Sequence, residues 1–166
     1  MKPQERVADL YLKQSSQITF KETSSWDFDS DSLVYVMEAY SKGESVGEFG
    51  ATLHLVDQKN FDSYTCREEM RELVTQNPSL VNSDNKVYVA EVVNSRLDSD
   101  FRGKGGGVKG YLRLARYIFE KKTNRTPFLF IPNYCNKNST TPEAIRVWQS
   151  LARKYPSKYQ VVVINK

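Results

Sequence analysis

Residues 90–123 read AEVVNSRLDSDFRGKGGGVKGYLRLARYIFEKKT, and the fold is decided there. The opening belongs to a β-rich run, KVYVAEVVNSRL, which predicts a strand over Lys86–Leu97. An acidic turn at Asp98-Ser99-Asp100 leads into a basic, glycine-dense loop, Arg102 to Gly107. From Gly107 to Lys122 a helix is expected. Val108, Tyr111, Leu112, Ala115, Ile118 and Phe119 form its apolar side, and Lys109, Arg113, Arg116, Lys121 and Lys122 surround that stripe. Strand, glycine loop and helix start together make an anion cradle. The first N–H groups of a helix lack intrahelical partners, and the helix dipole adds positive potential there.

Upstream, Pro3–Lys13 has helical spacing and Gln17–Glu22 reads as a short strand. Ser24–Ser32 is polar and acidic, hence a loop. Ser32–Tyr40 and Ser45–Val56 are strand-like around a hairpin turn at Ser41–Glu44. Gly47 and Gly50 in the second of these point to a bulge or a close backbone approach. Phe61–Thr75 reads as a helix burying Tyr64, Met70, Leu73 and Val74, ended by Asn77-Pro78. Downstream, Pro127–Ile131 is a short apolar strand. Pro132–Thr141 is a polar loop with Asn133, Asn136 and Asn138. Thr141-Pro142-Glu143 starts a helix running to about Lys154. Tyr159–Asn165 is the last strand. One domain over residues 1–166 is expected, of α/β (α+β) class: a mixed, mostly antiparallel sheet with helices on both faces.

A chain of 166 residues can bury a core without disulfide or metal. Cys66 and Cys135 are far apart and read as reduced thiols of an intracellular protein; with one histidine, His54, they do not suggest zinc, and no metal is expected. The charged beginning, MKPQER, does not read as a signal peptide, and no apolar run is long enough to span a bilayer, so a cytoplasmic protein without membrane contact is expected. Charge is unevenly spread. Residues 1–85 carry 8 Lys/Arg against 15 Asp/Glu, and residues 86–166 carry 16 against 5, so a net of −7 precedes a net of +11. The basic excess travels with the glycine loop. Nucleic acid is the other partner such a charge could serve, but no arginine-rich tail, zinc-finger spacing or RNA-recognition motif accompanies it.

Three phosphate loops compete. Gly105 to Gly110 fits the letters G-x-G-x-x-G, but the glycines do not follow the strand directly and the next strand ends without a carboxylate. A Walker loop fails because Gly110 is followed by Tyr111. Arg102-Gly103-Lys104-Gly105-Gly106-Gly107 fits R-x-x-G-x-G, with Ser95, Leu97 and Phe101 in register before it. This resembles the acyl-CoA loop of the GNAT-type N-acetyltransferases. The order of flanking elements agrees, and Asn138 with Ala144–Trp148 echoes the family's Asn followed by A-x-x-x-Y. The resemblance covers about residues 86–155.

The resemblance implies a GNAT-like sheet splayed at the acyl-CoA site and an enzyme that moves an acetyl group from acetyl-CoA to a primary amine by direct attack in a ternary complex. Arg102, Gly103, Lys104, Gly105, Gly106 and Gly107 would hold the pyrophosphate, Lys104 adding charge. Ser95 and Leu97 would pair with pantetheine through backbone, and Asn138 would reach its amides. The acceptor, a small molecule or a protein amine, is not identified, and a homodimer is left open. Glu91 is the candidate base. It lies in phase with Val93, Ser95 and Leu97 along a regular strand, so all four are expected on one face. Glu48 is a rival. The tyrosine the family carries in A-x-x-x-Y is Trp148, which reads as core, so Tyr134 or Tyr155 would have to supply the acid, Tyr134 being the candidate adopted. Cys135 has no local histidine to activate it as a nucleophile. The family's two helices between the first strands have no room here, which leaves the acceptor open. The alternatives are a module that holds CoA without transfer and a nucleic-acid-binding or -modifying protein.

Overall fold

The computed structural model describes residues 18–27, 32–102, 105–132, 142–154 and 160–161. Six strands form one sheet in the order β1-β2-β3-β4-β5-β6: β1 (Thr19–Asp27), β2 (Ser32–Ser41), β3 (Glu44–Asp57), β4 (Lys86–Leu97), β5 (Leu129–Ile131) and β6 (Gln160–Val161). The first four are antiparallel, and β4–β5 and β5–β6 are parallel. The helices are α1 (Arg67–Gln76), α2 (Gly106–Lys121) and α3 (Pro142–Lys154). The α+β class and the mostly antiparallel sheet agree with the sequence reading. The expected helix over Pro3–Lys13 lies outside the described residues.

Each antiparallel joint has a local cause. Lys42 and Gly43 both take positive φ, 52° and 81°, the two-residue turn whose twist matches a hairpin. Ala39 pairs with Gly47 and Tyr40 with Ser45, so Val46 is an extra residue on β3. Gly47 is needed beside it because a Cβ there would stand 2.5 Å from the Arg96 carbonyl oxygen. β1 corrects the sequence reading. It runs through Ser24 to Asp27, where a loop is expected, because polar residues suit an exposed edge strand. The expected Phe61–Thr75 helix is also divided. A 3-10 segment, Gln58–Ser63, is capped by Asp57, whose side chain accepts from the Lys59 N–H at 3.1 Å, and α1 begins only at Arg67. Within the 3-10 segment the Ser63 hydroxyl bonds the Asn60 carbonyl at 2.9 Å, competing with helix continuation.

β4 is covered on both faces. Val87 and Val89 join Phe61, Cys66, Met70, Val74, Leu129 and Ile131 beneath α1. Ala90 and Val92 join Met37, Phe49, Leu114, Ile118, Phe130 and Trp148 beneath α2 and α3. Here the Trp148 ring lies 5.0 Å from Phe130 and 5.1 Å from Tyr111, and Tyr111 is edge-on to Phe49 at 5.3 Å. Such ring pairs add about 0.5–1.5 kcal/mol each beyond the area they bury. Trp148 and Leu151 are buried, as the periodicity of their helix predicts. Among the described residues no helix is long and apolar enough to cross a membrane.

Candidate functional site

β4 outlasts its parallel neighbour. The β4–β5 ladder pairs Val89 with Leu129, Ala90 with Phe130 and Glu91 with Ile131, and stops. β4 continues to Leu97, paired with β3 as far as Gly47. Beyond Glu91 no described residue of β5 accompanies β4, on the side where β4 leads into the glycine loop.

An irregularity falls at this point. Gly50 pairs with Asn94 but Ala51 pairs with Val92, so Val93 is an extra residue on β4. A bulge of one residue shifts the alternation of everything after it. The expected single face for Glu91, Val93, Ser95 and Leu97 is thereby corrected. Glu91 shares the α1 face with Val87 and Val89, whereas Leu97 packs with Phe49 and Tyr111 on the α2 face. Ser95 is on that second face too, hydrogen-bonded to the Tyr111 hydroxyl. The charge of Glu91 is felt across its own face by the Cys66 thiol. Burial first, then Glu69 and Glu91, push that thiol up to about 12. Glu48, the rival carboxylate, faces the α1 side as well and accepts from Asn94 Nδ2 at 2.9 Å.

The loop after β4 is tied down at both ends. The Asp98 N–H donates to the Val46 carbonyl at 2.8 Å, continuing the β3–β4 pairing one step past Leu97. A single 3-10 turn, Ser99–Phe101, follows. Arg102 straps the turn to the strand: its Nε donates to the Leu97 carbonyl at 2.7 Å, and its backbone N–H donates to Ser99 at 3.2 Å. That N–H is engaged inside the turn, so Arg102 serves the loop's shape rather than adding a backbone donor. Gly103 and Lys104 lie outside the described residues. Gly105 takes φ +79° with open space where a Cβ would be, and it caps α2. The first helical bond runs from the Lys109 N–H to the Gly105 carbonyl at 3.1 Å, and the first turn carries no acidic side chain. The N–H groups of Gly106, Gly107 and Val108 thus face the loop side of a sixteen-residue helix, a geometry suited to an anion. Gly106 is closely packed. A Cβ would stand 2.9 Å from a Leu97 methyl and 3.2 Å from the Phe101 carbonyl oxygen.

Tyr111 is the residue sequence reasoning missed. It reads there only as part of an apolar stripe, yet its buried ring carries a hydroxyl to Ser95, on the part of β4 that β5 does not reach. Burial raises its phenol above the ordinary value, and the Ser95 hydrogen bond acts in the opposite direction. A signal was available: Tyr111 is one turn into the helix that leaves the glycine loop, on the side turned toward the strand. Tyr134, Cys135, Asn138 and Tyr155 lie outside the described residues. The structure therefore brings Ser95, Leu97, Arg102, Gly105, Gly106, Gly107 and Tyr111 to one end of the sheet, with Glu91 at the last rung of the β4–β5 ladder and on the opposite face. Compared with protein-family models and with curated proteins, the chain finds no match.

Proposed function

We propose that the protein is an acetyl-CoA-dependent N-acetyltransferase of the GNAT type, acting on a primary amine. The observation that carries this reading is the outer edge of β4 beyond Glu91, with which the described residues of β5 do not pair and which ends on a glycine loop and the start of a long helix. The residues present suit coenzyme A. Gly105 and Gly106 keep side chains away from the cradle, the first N–H groups of α2 meet a pyrophosphate, and backbone at Ser95 and Leu97 can pair with an amide-bearing arm. Bound there, acetyl-CoA supplies an activated acyl carbon.

The chain's own residues supply the rest. Glu91, at the last rung of the parallel ladder, takes the proton of the incoming ammonium, through water where the faces differ. Tyr111 keeps its proton, since burial raises it, and so acts as a hydrogen-bond donor toward the departing sulfur rather than as a source of protons. In this role it replaces Tyr134 and the tyrosine absent at Trp148. A second reading, a module that holds CoA without transfer, is favoured by Trp148, which fills the core where the family's acid stands.

Acetyl-CoA should raise the melting temperature, because a ligand that binds only the folded state stabilises it. Absence of any shift would sink both readings. With an amine panel, thiol release should fall by about 10²–10⁴ in Glu91→Gln, and Tyr111→Phe should lower kcat without losing acetyl-CoA binding. Wild-type turnover in Glu91→Gln removes Glu91 as base, and binding without any turnover by the wild type establishes the second reading.

A further inference from the structure

We propose that the α1 face of the sheet holds a long linear diamine, one ammonium at Glu91 and Thr52 and the other at the Glu38–Glu48 pair. As the acceptor of the acetyl group this ligand rests on the acyltransferase reading; as a bound dication it does not. Glu38, Glu48, Thr52 and Glu91 share that face through the register of the strands. Thr52 pairs with Glu91, and Glu38 pairs with Glu48. β3 keeps its alternation between Glu48 and Thr52, because the extra residue, Val93, lies on β4. Thr52 is only 6% exposed, and among the described residues its hydroxyl makes no hydrogen bond. A buried hydroxyl ordinarily has a partner. An ammonium carries three N–H donors and can serve Thr52 and Glu91 together.

At the other end two carboxylates face each other. Glu38 and Glu48 are direct cross-strand partners, an arrangement that destabilises a sheet when both are charged. Each is held by a neutral donor, Glu38 by the Tyr40 hydroxyl and Glu48 by Asn94 Nδ2 at 2.9 Å. Lys21 and Arg96 flank them in register, yet neither is drawn in. Arg96 pairs with Asp98 at 2.9 Å, and Lys21 makes no ion pair among the described residues. Opposed carboxylates that no described cation joins select a cationic guest. Between the two ends the face is apolar. Val34 and Val36 crowd Gly50, where a Cβ would stand 3.0 Å and 3.7 Å from their methyl groups. Thr52 and Glu48 are four residues apart on β3, about 13 Å at the usual rise of a strand. Charge, apolar stretch and charge over that span match a run of methylenes with an amine at each end, and diaminopropane is too short to reach both. Glu91 takes one proton from the nearer ammonium. The amine then forms the amide bond as the thioester C–S bond breaks, and its second proton leaves with the CoA thiol.

Calorimetric titration of the full chain without acetyl-CoA tests the site, with diaminooctane, diaminopropane and octylamine as probes. Diaminooctane should bind about tenfold more tightly than either of the others, through one further charge-assisted contact. Glu38→Gln and Glu48→Gln should each erase most of that ratio. Urea unfolding should find neither variant less stable than wild type, since each removes one of two facing like charges, so the loss is not one of fold. Acetyl transfer should show the same preference in kcat/KM. Equal affinity for diaminooctane and octylamine overturns the proposal, and so does a preference that survives both substitutions. Two diamines bound equally well would mean attraction by overall charge alone, which also overturns it. Failure of the acyltransferase reading looks different: the diamine preference and its loss in both variants persist, while acetyl-CoA neither shifts the melting temperature nor reacts.

Discussion

Glu91 and Ser95 stand four positions apart on one strand and emerge on opposite sides of the sheet, because Val93 is inserted between them. The chemistry proposed for this protein therefore works across β4 rather than along it, and the phenol nearest Ser95 comes from a helix. Alternation by twos could not reveal this. Val93 is a β-branched residue among others, so nothing in its type marks it as the extra one, and the glycine opposite marks an irregularity without saying which strand carries it. Cys66 offers a sharper residue-scale test. Burial raises its thiol to about 12, against roughly 8.5 in an unfolded chain. The neutral thiol is the form the fold favours, so its contribution is complete below about pH 8.5 and is lost as pH rises from there through 12. Urea unfolding at stepped pH should show wild type losing stability more steeply than Cys66→Ala above that point. Parallel slopes would mean that the thiol ionises as freely in the fold as outside it.

Elements were legible in proportion to how much of their pattern comes from burial. β4 and α2 pack on apolar sides, and their limits match the sequence reading to within a residue. β1 faces solvent along an edge and has no such signature, and the segment before α1 obeys side-chain caps rather than periodicity. Within α2 the glycines differ in kind. A Cβ on Gly110 would fall 2.2 Å from the ring of Phe49, which is itself buried and cannot yield. On Gly107 the nearest atom would be 3.5 Å away, an ordinary contact with Val147. Gly110→Ala should accordingly cost about 1–3 kcal/mol by overpacking, whereas Gly107→Ala should match or exceed wild type by up to about 1 kcal/mol through helix propensity. Chemical denaturation of the two variants decides. Equal effects would show that α2 can shift on β3.

At the scale of the molecule, the order of strands and helices from β1 onward could be read from the chain, and so could an antiparallel first half within a mixed sheet. That the β4–β5 ladder stops at Glu91 could not be read from the chain, since it depends on how far a three-residue strand reaches along a twelve-residue one. The topology also separates near from distant contacts. The β2–β3 hairpin closes over two residues, while β4 and β5 meet only after α2 has been laid down. In pulse-labelled refolding, amides of β2 and β3 should gain protection before those of β5, because short loops close at lower entropic cost; earlier protection of β5 would contradict this order. The same layout has a consequence during synthesis. All four antiparallel strands have been made once Leu97 is added, but α2 and α3, which cover Met37, Phe49, Ala90 and Val92, have not. A ribosome making this protein holds out, until the helices that end at Lys121 and Lys154 have appeared, a half-sheet with one greasy side bare, the kind of nascent surface that chaperones are there to shield.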